Sequence, residues 1–172
     1  MASLIGRVLV TGAAGCGTTT LGRALAQAAD APFLDADDFF WLPTDPPYRS
    51  RRTAADRYSL LTAELAQRPQ AVVAGSLMGW GAELEDAFDL VVFLYLPTAL
   101  RLARLRAREE ARFGKADPEF LDWASQYDAG TAQGRSLALH RQWLAERKCR
   151  VLLLEGDMTT AARVQAVLQA LA

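Results

Sequence analysis

With 172 residues, 51% of them hydrophobic and 23% charged, the chain is long enough to bury one core and has the make-up of a single globular domain. A formal net charge of -1 gives no reason to expect nucleic acid or an anionic membrane as a partner. Cys16, Cys149 and the lone His140 are too few and too scattered to build a zinc site.

The amino terminus lacks the charged, apolar and small-residue succession of a signal peptide, and no apolar run approaches the roughly 20 residues that cross a bilayer. The expected setting is a reducing cytoplasm, with the chain a monomer or homodimer and its partners small molecules.

Taken in chain order, "LIGRVLVTG" (4–12) predicts a first strand that ends in glycine, followed by a helix over 18–29. "PFLDADDFF" (32–40) reads as a short strand running out into an acidic loop. "WLPTDPPYRSRR" (41–52) holds three prolines and excludes regular structure. A helix is expected over 53–67.

"QAVVAGS" (70–76) and "LVVFLYL" (90–96) are unbroken apolar runs, as in strands covered on both faces of a parallel sheet. An arginine-rich helix (97–112) opens with Pro97 in its first turn. "FGKADPEF" (113–120) breaks it. Helices over about 118–128 and 131–147, the strand "RVLLLEG" (150–156) and a closing helix over 159–171 complete the chain. Strands alternate with helices throughout, without repeats or a linker, which predicts one three-layer α/β/α domain around a five-stranded parallel sheet.

Between the first strand and first helix stands "TGAAGCGTTT" (11–20). Its Gly12, Gly15 and Gly17 follow the phosphate-loop form G-x-x-x-x-G-K-[ST], except that Thr18 replaces the lysine. Glycines let backbone N–H groups approach phosphate oxygens, and the helix that follows adds its N-terminal dipole. The segment Gly12, Ala13, Ala14, Gly15, Cys16, Gly17, Thr18, Thr19 and Thr20 is therefore the candidate nucleotide cradle.

Thr19 occupies the Ser/Thr position whose hydroxyl ligates Mg²⁺. The lysine serves chemistry more than occupancy. Losing one such donor costs about 2.7–4 kcal/mol in the transition state, or about 10²–10³ in rate. Cys16, inside the loop, is placed for the helix dipole to lower its pKa.

The loop, "FLDADDFFW", "VVAGSLMGWG" and "FDLVVFLYLPTALRLARLRARE" occur in the order found in small P-loop kinases of the nucleoside-monophosphate-kinase superfamily. The chain resembles that group, which includes adenylate, shikimate and topology-modulation-type kinases. The resemblance implies sheet order 2-3-1-4-5, an ATP site at the loop with Mg²⁺, a small-molecule acceptor beside the second and third strands, and a lid at about 108–130.

On an extended backbone Asp35 and Asp37 point the same way, toward the carboxyl edge of the sheet where α/β proteins bind ligands. No carboxylate ends the third strand, so Asp35 is the candidate partner of Thr19 for Mg²⁺. Asp37 is the candidate to activate or orient the acceptor, and Asp38 is read as structural. "GSLMGWG" (75–81) resembles the segment by which shikimate-type kinases approach their acceptor, with Gly75 giving close backbone contact and Trp80 a wall. Trp41 and the arginines 49, 51 and 52 are candidates to cover an anionic acceptor.

Arg101, Arg104, Arg108 and Arg112 recur on one helical face. In similar kinases such arginines close over the phosphates, so Arg104 and Arg108 are candidate replacements for the lysine. Arg135 joins them because a helix after the lid returns toward the phosphates. Lys115 and Arg23 are further candidates. His140, with no acidic neighbour in sequence, is read as a helix-surface or packing residue. Two functional readings stay open: a kinase transferring the γ-phosphoryl group of ATP, and a nucleotide-binding regulatory module with weak or no catalysis.

Overall fold

A computed structural model describes residues 6–172; Leu4 and Ile5 of the expected first strand lie outside them. The five strands are β1 (Arg7–Gly12), β2 (Phe33–Asp35), β3 (Ala71–Ala74), β4 (Leu90–Tyr95) and β5 (Arg150–Glu155). They form one sheet of order β2-β3-β1-β4-β5 in which every pairing is parallel. Around it pack α1 (Thr18–Ala28), α2 (Ala36–Phe40), α3 (Ala54–Ala66), α4 (Ala82–Glu85), α5 (Thr98–Phe113), α6 (Pro118–Ser125), α7 (Leu137–Ala145) and α8 (Thr160–Leu171).

The unbroken apolar runs mark the central strands because each lies between two layers of helix. Val8, Val10, Val72, Val92 and Leu94 face Leu21 and Leu25 of α1 and Val164 and Val167 of α8. Their neighbours Leu9, Val73, Val91 and Phe93 face Leu61 and Leu65 of α3 and Trp143 and Leu144 of α7. A third, smaller cluster of Leu105, Leu121 and Ala124 joins α5 to α6 beside Ala14 of the glycine loop.

Two expectations about elements are corrected. The run 32–40 is a strand only as far as Asp35, whose carboxylate accepts a hydrogen bond from Asp37 N and caps α2. Asp37 and Asp38 therefore stand on a helical turn, and Asp35 and Asp37 are not alternate residues of one extended strand. Helix is absent from 131 to 136, because Gly130 (φ 70) and Gly134 (φ 95) turn the chain before Ser136 caps α7. Among the described residues no helix is long and apolar enough to cross a membrane.

Candidate active site

The loop between β1 and α1 is shaped by what its glycines lack. A Cβ on Gly15 would stand 2.8 Å from the Arg101 carbonyl oxygen and 3.0 Å from Leu105 Cγ, so only glycine lets the loop settle on α5. Thr53, Asp117, Ser136 and Thr159 cap α3, α6, α7 and α8 with side-chain oxygens. Gly17 opens α1 without any such cap. The first N–H groups of α1 are left for an external acceptor, and an anion at a helix N-terminus meets them.

Thr19 Oγ1 and Asp35 Oδ2 lie 3.5 Å apart, joining the end of the loop to the end of β2. Burial pushes the Asp35 carboxyl above its usual range; Asp37 N and Arg23 oppose that, while Asp37 and Asp38 add to it. Asp37 is also pushed up by burial, against the guanidinium charges of Arg135 and Arg108 and the Trp41 side chain. As a residue Asp37 is exposed, so solvent offsets part of this effect.

The donor set suits Mg²⁺ carried on a nucleotide. One hydroxyl and one carboxylate meet there, and no group of three or more His, Cys, Asp or Glu side chains gathers among the described residues. Mg²⁺ is ordinarily held by one or two carboxylates together with phosphates and water.

The proposed cations divide by place. Arg101 is fully buried and structural: it donates to the Leu96 and Ala124 carbonyls and Thr98 Oγ1, and pairs with Asp128 at 3.2 Å. Arg104 is held by Asp157, just beyond β5, at 2.5 Å. Arg112 reaches Tyr48 at 3.4 Å, Arg23 lies over the Phe33 ring, and Lys115 is exposed.

The charges of Arg108, Arg112 and Arg135 reach Asp37. Arg135 lies over Trp123 at 5.4 Å, and with Ala13, Ala14 and Tyr127 it lines a cavity of about 10 Å³ beside the loop. That is room for about one water. Burial pushes its pKa down while Asp37 holds it up, and none of the ion pairs among the described residues includes it.

Arg163 of α8, which the sequence alone did not single out, is buried behind the loop. It donates to the Cys16 carbonyl at 2.9 Å and the Gly156 carbonyl at 3.2 Å. Cys16 corrects an expectation: it is fully buried, and burial pushes its thiol up rather than down, against the opposing Arg101 and Arg163 charges.

Beyond β3, in the segment the sequence offers as an acceptor wall, residues 75–81 are clamped by Glu85, whose carboxylate accepts from Gly79 N at 3.0 Å, Gly81 N at 3.1 Å and Trp143 Nε1 at 2.6 Å. A Cβ on Gly75 would meet Ala36 Cβ at 2.5 Å, and this contact sets the segment against the head of α2 beside Asp37. Trp80 is buried and stacks on Phe40, with rings 6.2 Å apart. Arg57 lies over both rings, at 5.1 and 5.0 Å, with its Nε buried and unpartnered; Arg52 Nε is unpartnered too.

Trp41 bridges to Arg51 and meets Phe40 edge-on, holding the proline-rich strap over this side. Glu85 and Arg57 gave no signal in sequence, since Trp143 lies far from Glu85 along the chain and Phe40 and Trp80 lie well away from Arg57. His140 is a packing residue: it is fully buried, so the surface alternative is excluded.

A parallel sheet of order 2-3-1-4-5 with a glycine loop at the carboxyl end of its central strand defines the fold of P-loop small-molecule kinases related to nucleoside-monophosphate kinases. Residues 8–122 match the family described as an AAA domain. Over 169 residues the chain is 38% identical to the uncharacterized protein YqaC of Bacillus subtilis (strain 168), covering 92% of this chain and 93% of that protein. The chain belongs to this family of P-loop domains.

Its fold is shared with a gluconokinase from Sinorhizobium meliloti 1021, at TM-score 0.65 and 21% identity over 98% of this chain and 93% of the other. It is shared also with the shikimate kinase from Acinetobacter baumannii in complex with shikimate, at TM-score 0.59 and 20% identity over 96% and 92%.

Proposed function

We propose that the protein is a phosphotransferase that moves the γ-phosphoryl group of ATP to a hydroxyl of a small-molecule acceptor. The observation that carries this reading is the glycine loop at the uncapped head of α1, with Thr19 and Asp35 meeting at its end 3.5 Å apart and Arg135 lining a cavity against its Ala13 and Ala14. The structural kinship with proteins named gluconokinase and shikimate kinase supports a small hydroxylated acceptor.

Mg²⁺ and ATP supply the transferable group and neutralise part of its charge. The chain's own residues do the rest. Backbone N–H groups from Gly12 to Thr20 hold the phosphates, and Thr19 with Asp35 holds the metal side. Asp37 orients the acceptor hydroxyl and takes its proton. Gly75, Trp41 and Trp80 shape the acceptor pocket. Arg135 and Arg108 face the group being transferred and stand in for the lysine, and Arg163 adds fixed positive charge behind the loop. Arg104, held by Asp157, acts from the far side of the loop. The segment at about 108–130 closes over them as a lid. Phosphoryl transfer needs positioning and charge neutralisation above all, and this set provides both.

The second reading, a nucleotide-binding module without turnover, is favoured by Thr18 alone. A phosphotransfer assay with ATP, Mg²⁺ and a panel of polyols and hydroxy acids separates the two. Product formed on any acceptor upholds the kinase, whereas nucleotide binding with no product on the whole panel upholds the module.

A further inference from the structure

Ser76, His140 and Tyr127 form a hydrogen-bonded chain that the transfer machinery above does not use. His140 is the only histidine in the sequence and lies fully buried on α7. Its Nε2 is 3.1 Å from Ser76 Oγ and its Nδ1 is 2.7 Å from the Tyr127 phenol. Phe93 of β4 meets the ring edge-on at 5.6 Å.

The charged group facing His140 is Arg135, on the turn before α7; burial first and this charge second push the imidazole down to about 4. The ring is neutral, so one nitrogen donates and the other accepts. Which does which is settled by the phenol. Burial pushes the Tyr127 pKa well up, so the hydroxyl keeps its proton. That hydroxyl has no other hydrogen-bond partner among the described residues.

A phenolic proton left unpaired in the interior is more costly than a serine proton left at a cleft. Tyr127 therefore donates to Nδ1, and Nε2 carries the ring hydrogen and donates to Ser76 Oγ. The Ser76 hydroxyl hydrogen is then the one member of the chain without a partner. Ser76 is half-buried, directly after Gly75, the residue that packs on Ala36 one position before Asp37. Beside this strand end, Thr11 follows Val10, the register partner of Ala74, and its Oγ1 is likewise buried without a partner.

We propose that Ser76 is a hydrogen-bond donor of the acceptor pocket, its direction fixed by His140 and Tyr127, and that it selects an acceptor presenting an oxygen lone pair there. A hydroxyl or carboxylate oxygen satisfies the serine hydrogen; an ammonium leaves it unpaired. Ser76 would touch the acceptor, while His140 and Tyr127 are positioning residues. The selectivity, though not the direction of the chain, rests on 75–81 being the acceptor wall.

Because the sequence has a single histidine, the uniformly ¹⁵N-labelled full-length protein gives one imidazole in a long-range ¹H–¹⁵N correlation spectrum. The expected spectrum is the neutral Nε2–H tautomer, unchanged from pH 8 down to about 5.5, with Tyr127→Phe letting the Nδ1–H form appear. An Nδ1–H imidazole in the unmodified protein, or titration near pH 6.5, overturns the proposal.

In phosphotransfer from ATP to polyols, hydroxy acids and amino alcohols, Ser76→Ala is expected to raise the acceptor KM about tenfold, the equivalent of about 1.4 kcal/mol. The KM for ATP and kcat are expected to change little, and Ser76→Thr to restore the acceptor KM. An unchanged acceptor KM in Ser76→Ala, or an amino alcohol preferred over its hydroxy-acid counterpart, overturns the selectivity. An Nε2–H imidazole with no compound phosphorylated upholds the fixed donor and sinks the kinase reading instead.

Discussion

Thr19 Oγ1 and Asp35 Oδ2 lie 3.5 Å apart, at the point where the phosphate loop and β2 meet. At that length the pair is a weak hydrogen bond, and both oxygens are available to a hydrated cation. Asp35 has a second task, since its other oxygen caps α2 through Asp37 N.

Asp35→Asn keeps the cap and removes the charge. It is expected to leave thermal stability nearly unchanged while weakening Mg²⁺-dependent ADP binding about tenfold or more. Asp35→Ala loses the cap as well and should cost about 1 kcal/mol of stability in addition. Calorimetry with ADP, with and without Mg²⁺, alongside urea unfolding, checks both parts.

On the proposed function, Arg135 supplies the charge that Thr18 does not. Arg135→Ala is expected to lower kcat by about 10²–10³ with nucleotide affinity changed far less. Thr18→Lys should recover part of that loss in the Arg135→Ala background. Steady-state kinetics of the two single variants and the double variant, treated as a cycle, measure the exchange of one cation for the other.

Glu85 holds two loop N–H groups and the Trp143 indole from a buried position. Glu85→Ala leaves these donors unpaired and is expected to destabilise the protein by about 3 kcal/mol. Glu85→Gln, which retains an acceptor oxygen, should cost less. In both variants the acceptor KM should rise more than the KM for ATP, because the segment they loosen is the proposed acceptor wall.

His140 links stability to pH. Its folded pKa, about 4, lies below the unfolded value of 6.5. The unfolded chain therefore takes up a proton first as pH falls. The stabilising effect is fully present above about pH 6.5 and is lost progressively between there and about pH 4. The gap is worth about 3 kcal/mol at 1.36 kcal/mol per pH unit. Urea unfolding from pH 7.5 to 4.5 should show this slope, and His140→Gln should flatten it.

Much of the fold was legible because local signals agreed with it. The unbroken runs of β3 and β4 declared buried strands, and Gly12, Gly15 and Gly17 marked the loop. Legibility failed where short-range polar geometry competes with apolar pattern. In "FLDADDFF" the Asp35 cap turns the chain into α2 after three strand residues.

The helix expected over 131–147 begins only at Leu137, because Gly130 and Gly134 both take positive φ. Site residues were hidden when their partners were remote. Arg163 meets the loop across 147 residues of sequence, and Trp143 meets Glu85 across 58. No spacing rule reaches that far. The four-arginine face of α5 was real as periodicity, but its members turn to different neighbours along the helix.

The proposed function requires that the backbone amides of the glycine loop hold a nucleotide without a lysine. Isothermal titration of the full-length protein with ADP and ATP in the presence of Mg²⁺ tests it most directly. The expected result is saturable binding of both, weakened by Arg163→Ala, which loosens the loop from α8. Absence of binding to either nucleotide by a folded protein, with binding appearing only in Thr18→Lys, would contradict it.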